Sequence, residues 1–423
     1  SNPREVRMKL IRNLAPLALS ALLLAACGGG DPYVPGSGSP TGGPTTRGAF
    51  TSLISFGDSL SDIGSYAPAT TIPGSSPTAY FGGRFTTNLN DLTSPALPST
   101  AKVWVDELAT ALSTPAAPII VTPAEVGFAG QSVACPAAAN PLLAATCTGY
   151  SQGGARVTDP IGIGNSSGFL TVPVRTQIAN HLARFGSFKA SDLIIVFAGH
   201  NDLLYQLGVF SAAAQQIQAQ AQADVLAGLI TPEQAQTRVS QELFAAQTVA
   251  QQAMKTAALE LAGYVRSEIL AKGGSYVMVM SMVDFTVTPR FANASAETKV
   301  LVKGLGDVFN LWLREGLTGQ AVRWMDTNTP LYTWLADPAA VGLTNTTTPA
   351  CDVAKVSDLT GGQVIDGTSL FCNGTTGAPF NTLVTGADVS SWLFADTVHP
   401  SVKGHQLVSV EILKQLRAAG WIN

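Results

Sequence analysis

The chain has 423 residues, of which 46% are hydrophobic and 12% charged, enough apolar material for a large core and far from a disordered composition. A formal net charge of -4 and a pI near 5.6 leave no basic footprint of the kind that grips phosphate backbones, so nucleic acid is excluded as an expected partner.

In chain order, the first segment reads as a processing signal rather than as fold. Residues 1–7 look like an extension upstream of a natural start at Met8. Lys9 and Arg12 then precede an apolar run over residues 14–26, too short to span a bilayer comfortably. The run ends in Leu24-Ala25-Ala26-Cys27 and three glycines. This resembles a bacterial lipobox, in which cleavage before the cysteine leaves Cys27 as the lipidated first residue of an exported, membrane-anchored lipoprotein. Gly28, in place of an aspartate after the cysteine, points by that resemblance to the outer membrane. An ordinary signal peptide cleaved nearby, with secretion of the product, is the competing reading.

Residues 28–50 are Gly, Pro, Ser and Thr with almost no apolar content, and read as a flexible tether. Residues 51–423 read as one α/β domain with long loop and helical insertions. Predominantly apolar runs at 53–56, 192–198 and 275–283, with a weaker one at 321–325, predict buried parallel strands. Helical patterns are expected over 174–185, over 212–271 with a break at Thr231-Pro232, over 296–313 and over 402–419. Strands alternating with helices predict a doubly wound parallel sheet, with its site at the carboxyl ends of the strands. The Ala/Gln-rich part of the insertion, 212–252, reads as a solvated helical hairpin in preference to a substrate lid.

Beyond Cys27, the remaining cysteines are Cys135, Cys147, Cys351 and Cys372. An even number in an exported chain predicts two disulfides. Three pairings are open. Neighbour pairing, Cys135–Cys147 and Cys351–Cys372, closes short loops and is the one expected. A metal site is disfavoured because no C-x-x-C spacing occurs and no histidine lies near either pair.

The chemistry is read first from the four histidines, His181, His200, His399 and His405. A serine nucleophile needs a base that titrates near neutrality, and the imidazole needs a carboxylate to fix its tautomer. Asp396 lies three residues before His399, whereas Ile178, Phe197 and Val402 hold that place before the other three. Upstream, Gly57-Asp58-Ser59 follows a predicted strand. Gly57 permits a tight turn, and Ser59 is expected at the start of a helix, where free amides and the dipole favour developing negative charge. The competing reading of Ser59 or Ser61 is a simple helix cap. Gly199-His200-Asn201-Asp202 follows a second strand and offers the Asn201 side-chain amide, and Gly153-Gly154-Ala155 offers a backbone N–H. With the amide of Ser59, these make a three-donor oxyanion hole.

Taken in order, GDSLSD at 57–62, GGA at 153–155, GxND at 199–202 and DxxHP at 396–400 resemble the SGNH hydrolases, also called GDSL-type esterases and lipases. Phe81-Gly82-Gly83-Arg84-Phe85, Val103-Trp104-Val105 and the turn preceding Arg290-Phe291 are similar to segments of the family's bacterial branch. The resemblance covers roughly residues 51–419. It implies a flavodoxin-like three-layer fold, Ser59 as nucleophile and oxyanion donor, Gly154 and Asn201 completing the oxyanion hole, His399 as base and Asp396 as its partner. It also implies an ester substrate, small or lipid, and no metal or organic cofactor. The chain departs from the family's pattern at Gly149-Tyr150, where an Asn usually opens the block, and at His200, where a small residue is usual. Asp58 and His200 are candidates for the substrate cleft, His200 alternatively bonding a loop. Two other functions stay open at this point: an inactive surface-anchored binding protein on the same scaffold, and a carbohydrate O-acetylesterase. Oligomeric state is not legible.

Overall fold

The computed structural model describes residues 38–72, 80–81, 83–90, 99–375 and 381–423. Cys27, the rest of the expected signal segment and residues 28–37 of the expected tether lie outside them.

Among the described residues the central sheet has strands β1 (Ser52–Gly57), β2 (Asp192–Phe197), β3 (Tyr276–Met280) and β4 (Arg323–Met325), all parallel and adjacent in that order. Every residue of β2 and β3 is buried, as expected of strands covered on both faces. Residues 148–152 run along the free side of β1. The Ser55 amide bonds the Thr148 carbonyl at 3.1 Å, and the Tyr150 amide bonds the Ser55 carbonyl at 2.9 Å. Counting that segment as a rudimentary edge strand gives the spatial order 2-1-3-4-5. The order then reverses between β1 and β2, where ligands of open α/β sheets collect.

The helices are α1 (Trp104–Leu112), α2 (Val174–Phe185), α3 (His200–Leu226), α4 (Pro232–Tyr264), α5 (Ala296–Gly316), α6 (Asn328–Ala336), α7 (Val353–Leu359) and α8 (Val402–Ala418). Alternation along the strands splits the core in two. Ile54, Phe56, Ile194, Val196, Val277 and Val279 meet Ile178 of α2, Leu261 of α4 and Phe309 of α5. Leu53, Leu193, Ile195 and Met278 meet Trp104 and Leu108 of α1 and Ile412 and Leu416 of α8. The result is a three-layer α/β fold.

The helical hairpin starts earlier than its Ala/Gln pattern predicts. α3 begins at His200, directly off β2, because Gly199 adopts a left-handed conformation as its cap. The break falls where expected. Thr231 accepts from the Gln234 amide at 3.2 Å, Gln234 accepts from the Thr231 amide at 2.8 Å, and Pro232 opens the next helix. The projecting half of the hairpin has a small core of its own, Ala221, Val225, Ala235, Val239 and Leu243.

Residues 38–50, expected as part of the tether, lie against the body. The Thr41 amide donates to the Gln320 carbonyl at 2.8 Å, the Gly48 amide to the Trp421 carbonyl at 2.9 Å, and the buried Trp421 indole to the Pro44 carbonyl at 2.9 Å. Residues 38–50 make these bonds through their backbone groups, so hydrophobic patterning does not reveal them. Both neighbour disulfides are present, Cys135–Cys147 and Cys351–Cys372. Among the described residues no helix is long and apolar enough to cross a membrane.

Candidate active site

The site is built at the carboxyl ends of β1 and β2. Gly57 approaches the Phe197 carbonyl so closely that a Cβ would stand 2.1 Å from its oxygen; a side chain there would push the strands apart. Gln177 of α2 clamps the same residue, accepting from the Gly57 amide at 2.9 Å and donating to the Gly57 carbonyl at 2.7 Å. The chain then makes a 3-10 turn, Ser59–Ser61. The helix expected at Ser59 is therefore a three-residue turn. It is too short for a macrodipole, and its own amides are what it offers an anion. Asp58, not Ser59 or Ser61, caps the turn, accepting from the Leu60 amide at 3.1 Å.

Ser59 meets a loop from the far end of the chain. The Ser59 hydroxyl lies 2.8 Å from His399 Nε2. His399 Nδ1 lies 2.7 Å from Asp396 Oδ2 and 2.9 Å from Oδ1. A carboxylate on the Nδ1 side puts the proton there, so Nε2 is free to accept the hydrogen bond of the Ser59 hydroxyl. Asp396 also accepts from the amides of Val398 at 2.9 Å, His399 at 2.8 Å and Ser369 at 2.8 Å. Burial alone would raise its pKa. The facing imidazole and the converging donors outweigh burial and hold the carboxyl well below the usual carboxylate range. The Phe85 ring packs 4.7 Å from the imidazole, centroid to centroid, and shields one face.

The three groups expected as oxyanion donors come from three loops. Gly154 has φ +78, and a Cβ there would stand 2.1 Å from the Ile163 carbonyl oxygen, so glycine is required. Of the glycine pair, Gly153 has its amide bonded to the buried Asp62 carboxylate at 2.9 Å. No protein acceptor meets the Gly154 amide among the described residues. Asn201 donates one side-chain N–H to the Ala155 carbonyl at 2.9 Å, leaving the other. Asp202 completes the brace: it accepts from the Val157 amide at 2.9 Å and pairs with Arg156 at 3.2 Å. Burial pushes Asp202 up to about 6 against the pull of that arginine. Ser59, Gly154 and Asn201 all line one cleft of about 590 Å³, together with Asp396 and His399.

His200 lines the cleft, and Asp58 does not. Asp58 is fully buried, and its carboxylate accepts from His200 Nδ1 at 2.8 Å. His200 Nε2 accepts from the Val283 amide at 3.2 Å, so the ring ties the ends of three strands together. Asp58 is thus a support beneath the turn, and its candidacy for the cleft surface is corrected.

Ser369, Gln177 and Asp62 were not legible as parts of the site. Ser369 belongs to a long Thr/Gly-rich segment, residues 326–390, that precedes the Asp396–His399 block; its residues 363–366, Thr368 and Phe371 form one wall of the cleft. Beyond the reacting groups the cleft is mixed, with Phe85, Phe128, Phe169 and Phe285 around it and Arg290, Gln363 and Asp366 among its polar lining residues. Among the described residues no group of three or more His, Cys, Asp or Glu side chains is placed to hold a metal.

A three-layer parallel α/β domain, with serine, imidazole and carboxylate joined at the switch point of its sheet, has the architecture of an acyl hydrolase. The chain belongs to the GDSL-like Lipase/Acylhydrolase family, whose model matches residues 53–412. Comparison with curated proteins finds no match.

Proposed function

We propose that the protein is a serine carboxylic ester hydrolase working through an acyl-enzyme. The observation that carries this reading is the continuous chain from Ser59 Oγ through His399 to Asp396, at 2.8 and 2.7 Å. His399 Nε2 takes the Ser59 proton as Oγ attacks the ester carbonyl carbon. The Ser59 and Gly154 amides and Asn201 Nδ2 receive the oxyanion. Collapse breaks the ester C–O bond, the leaving alkoxide takes the proton from His399, and water repeats the sequence to free the acid. Each step uses groups of this chain and water.

The phenylalanine-lined part of the cleft, Phe85, Phe128, Phe169 and Phe285, favours lipid-like or simple esters over acetylated polysaccharide. Ser59→Ala is expected to lower kcat on a p-nitrophenyl ester by at least about 10⁴-fold while the circular dichroism is kept. Full turnover by that variant would overturn the proposal. On the lipobox we further propose that Cys27 is lipidated and anchors the protein to the outer membrane. Mass spectrometry of the mature N-terminus tests this, and an unmodified terminus at another residue refutes it.

A further inference from the structure

Beside the catalytic cleft lies a second, almost wholly apolar cavity of about 70 Å³. It sits between the ends of β2, β3 and β4, α6 and the N-terminal half of α8. Leu60, Phe285 and Val398 line both spaces. Two of these are chain neighbours of the reacting groups, Leu60 of Ser59 and Val398 of His399. Met280, Met325 and Leu331 line the cavity beyond that partition.

Most of the few polar groups of its wall are engaged elsewhere; the buried Trp104 Nε1 and His405 Nδ1, which meet no partner among the described residues, are the exceptions. Thr288 donates its hydroxyl to the Phe285 carbonyl at 2.7 Å, and Thr327 donates to the Ser281 carbonyl at 3.0 Å. His405 Nε2 donates to the Phe85 carbonyl at 3.2 Å, and Glu411 faces Lys414 and Gln415. A hydrated or sugar-like group would find few partners here, whereas methylenes would fill space that is otherwise poorly packed.

We propose that this cavity is the acyl-chain pocket: the hydrocarbon tail of the ester passes the partition of Leu60, Phe285 and Val398 and ends against Met280, Met325 and Leu331. The proposal rests on the ester-hydrolase reading of Ser59 and deepens it by naming the substrate as an ester of an unbranched, short-to-medium fatty acid. The small volume sets the length. A few methylenes fit without rearrangement, while a long saturated chain or an aromatic acyl group does not.

The experiment compares p-nitrophenyl acetate, butyrate, hexanoate, octanoate and laurate on the full chain and on two variants that act oppositely. Val408→Phe fills the cavity from α8, which lines it. Leu331→Ala enlarges it from α6. The readout is the ratio of kcat/KM between esters within each protein, which cancels any loss of folded enzyme. The wild-type profile should peak at butyrate or hexanoate. Val408→Phe should lower the hexanoate-to-acetate ratio at least tenfold, and Leu331→Ala should move the peak to octanoate or beyond. Unchanged profiles in both variants would overturn the acyl pocket while leaving the nucleophile intact. Failure of the wild type on every ester would instead strike the reading on which the pocket rests.

Discussion

At the scale of single residues, the site depends on groups that hold the reacting atoms more than on the atoms themselves. Asp396 fixes the imidazole proton on Nδ1, and an amide in its place would offer an N–H where a carboxylate is needed. Asp396→Asn is therefore expected to lower kcat by about 10⁴-fold with little change in KM, read by steady-state kinetics. A loss of less than tenfold would show that another group orients His399. His200 acts at one remove. By bridging Asp58 and the Val283 amide, it steadies the turn whose own amide is the proposed oxyanion donor. His200→Phe removes both bonds, and a misplaced donor set costs on the order of 10–100-fold in kcat. KM should stay within a few-fold, and His200→Gln, which can still bond one side, should recover part of the rate. Equal losses in kcat and in the folded fraction would reduce His200 to a structural residue. Asp396 was legible because spacing and chemistry coincide in one pentapeptide. The part played by Ser369 was not, since it contributes a backbone amide, and any residue type carries one.

At the scale of elements, strands and long helices were legible for a simple reason. β1, β2 and β3 are dominated by apolar residues, and α2 carries the helical period with Val174, Ile178 and His181 on its buried side. What remained hidden has no such period. The antiparallel hairpin of Glu125–Phe128 and Gln131–Ala134 is short, and its second strand is exposed throughout. The start of α3 at His200 was missed because its first turn serves the site rather than a helical pattern. The Thr/Gly-rich segment 326–390 supplies a wall of the cleft and, through the Ser369 amide, a hydrogen-bond donor to Asp396. Its disulfide explains how so irregular a segment is held. The Cys351 amide donates to the Ala395 carbonyl at 2.8 Å, and Cys372 follows three residues after Ser369. Cys351–Cys372 thus clips the segment beneath the catalytic loop. Replacing both cysteines by serine is expected to cost about 2–5 kcal/mol of stability by denaturant unfolding. kcat should fall at temperatures below the main unfolding transition, because the Ser369 support loosens first. Unchanged kcat up to that transition would show that the clip does not reach the triad.

At the scale of the whole molecule, the two layers of core and the docked residues 38–50 form the body that brings residues 340 positions apart into contact. That body also carries an acid weakness. His181 packs among Phe56, Tyr150, Phe185 and Phe188, and burial lowers it to about 4. Burial likewise lowers His405 to about 3, despite its bond to the Phe85 carbonyl. Both are neutral when folded but take protons near 6.5 when unfolded, so the unfolded state binds more protons below that value. Their contribution to stability is present above pH 6.5 and lost as pH falls toward the folded values, with a slope up to about 1.4 kcal/mol per pH unit for each. Urea unfolding between pH 7 and 4.5 checks this, and His181→Phe should flatten the dependence by about one proton's worth. An identical slope in that variant would remove His181 from the explanation. The central claim is that Ser59 is the atom donor to the acyl-enzyme, and covalent trapping tests it most directly. Protein treated with a fluorophosphonate and digested should carry one adduct, on the peptide containing Ser59, and His399→Ala should suppress its formation. An adduct on a different residue, or active enzyme that never forms one, would contradict the account.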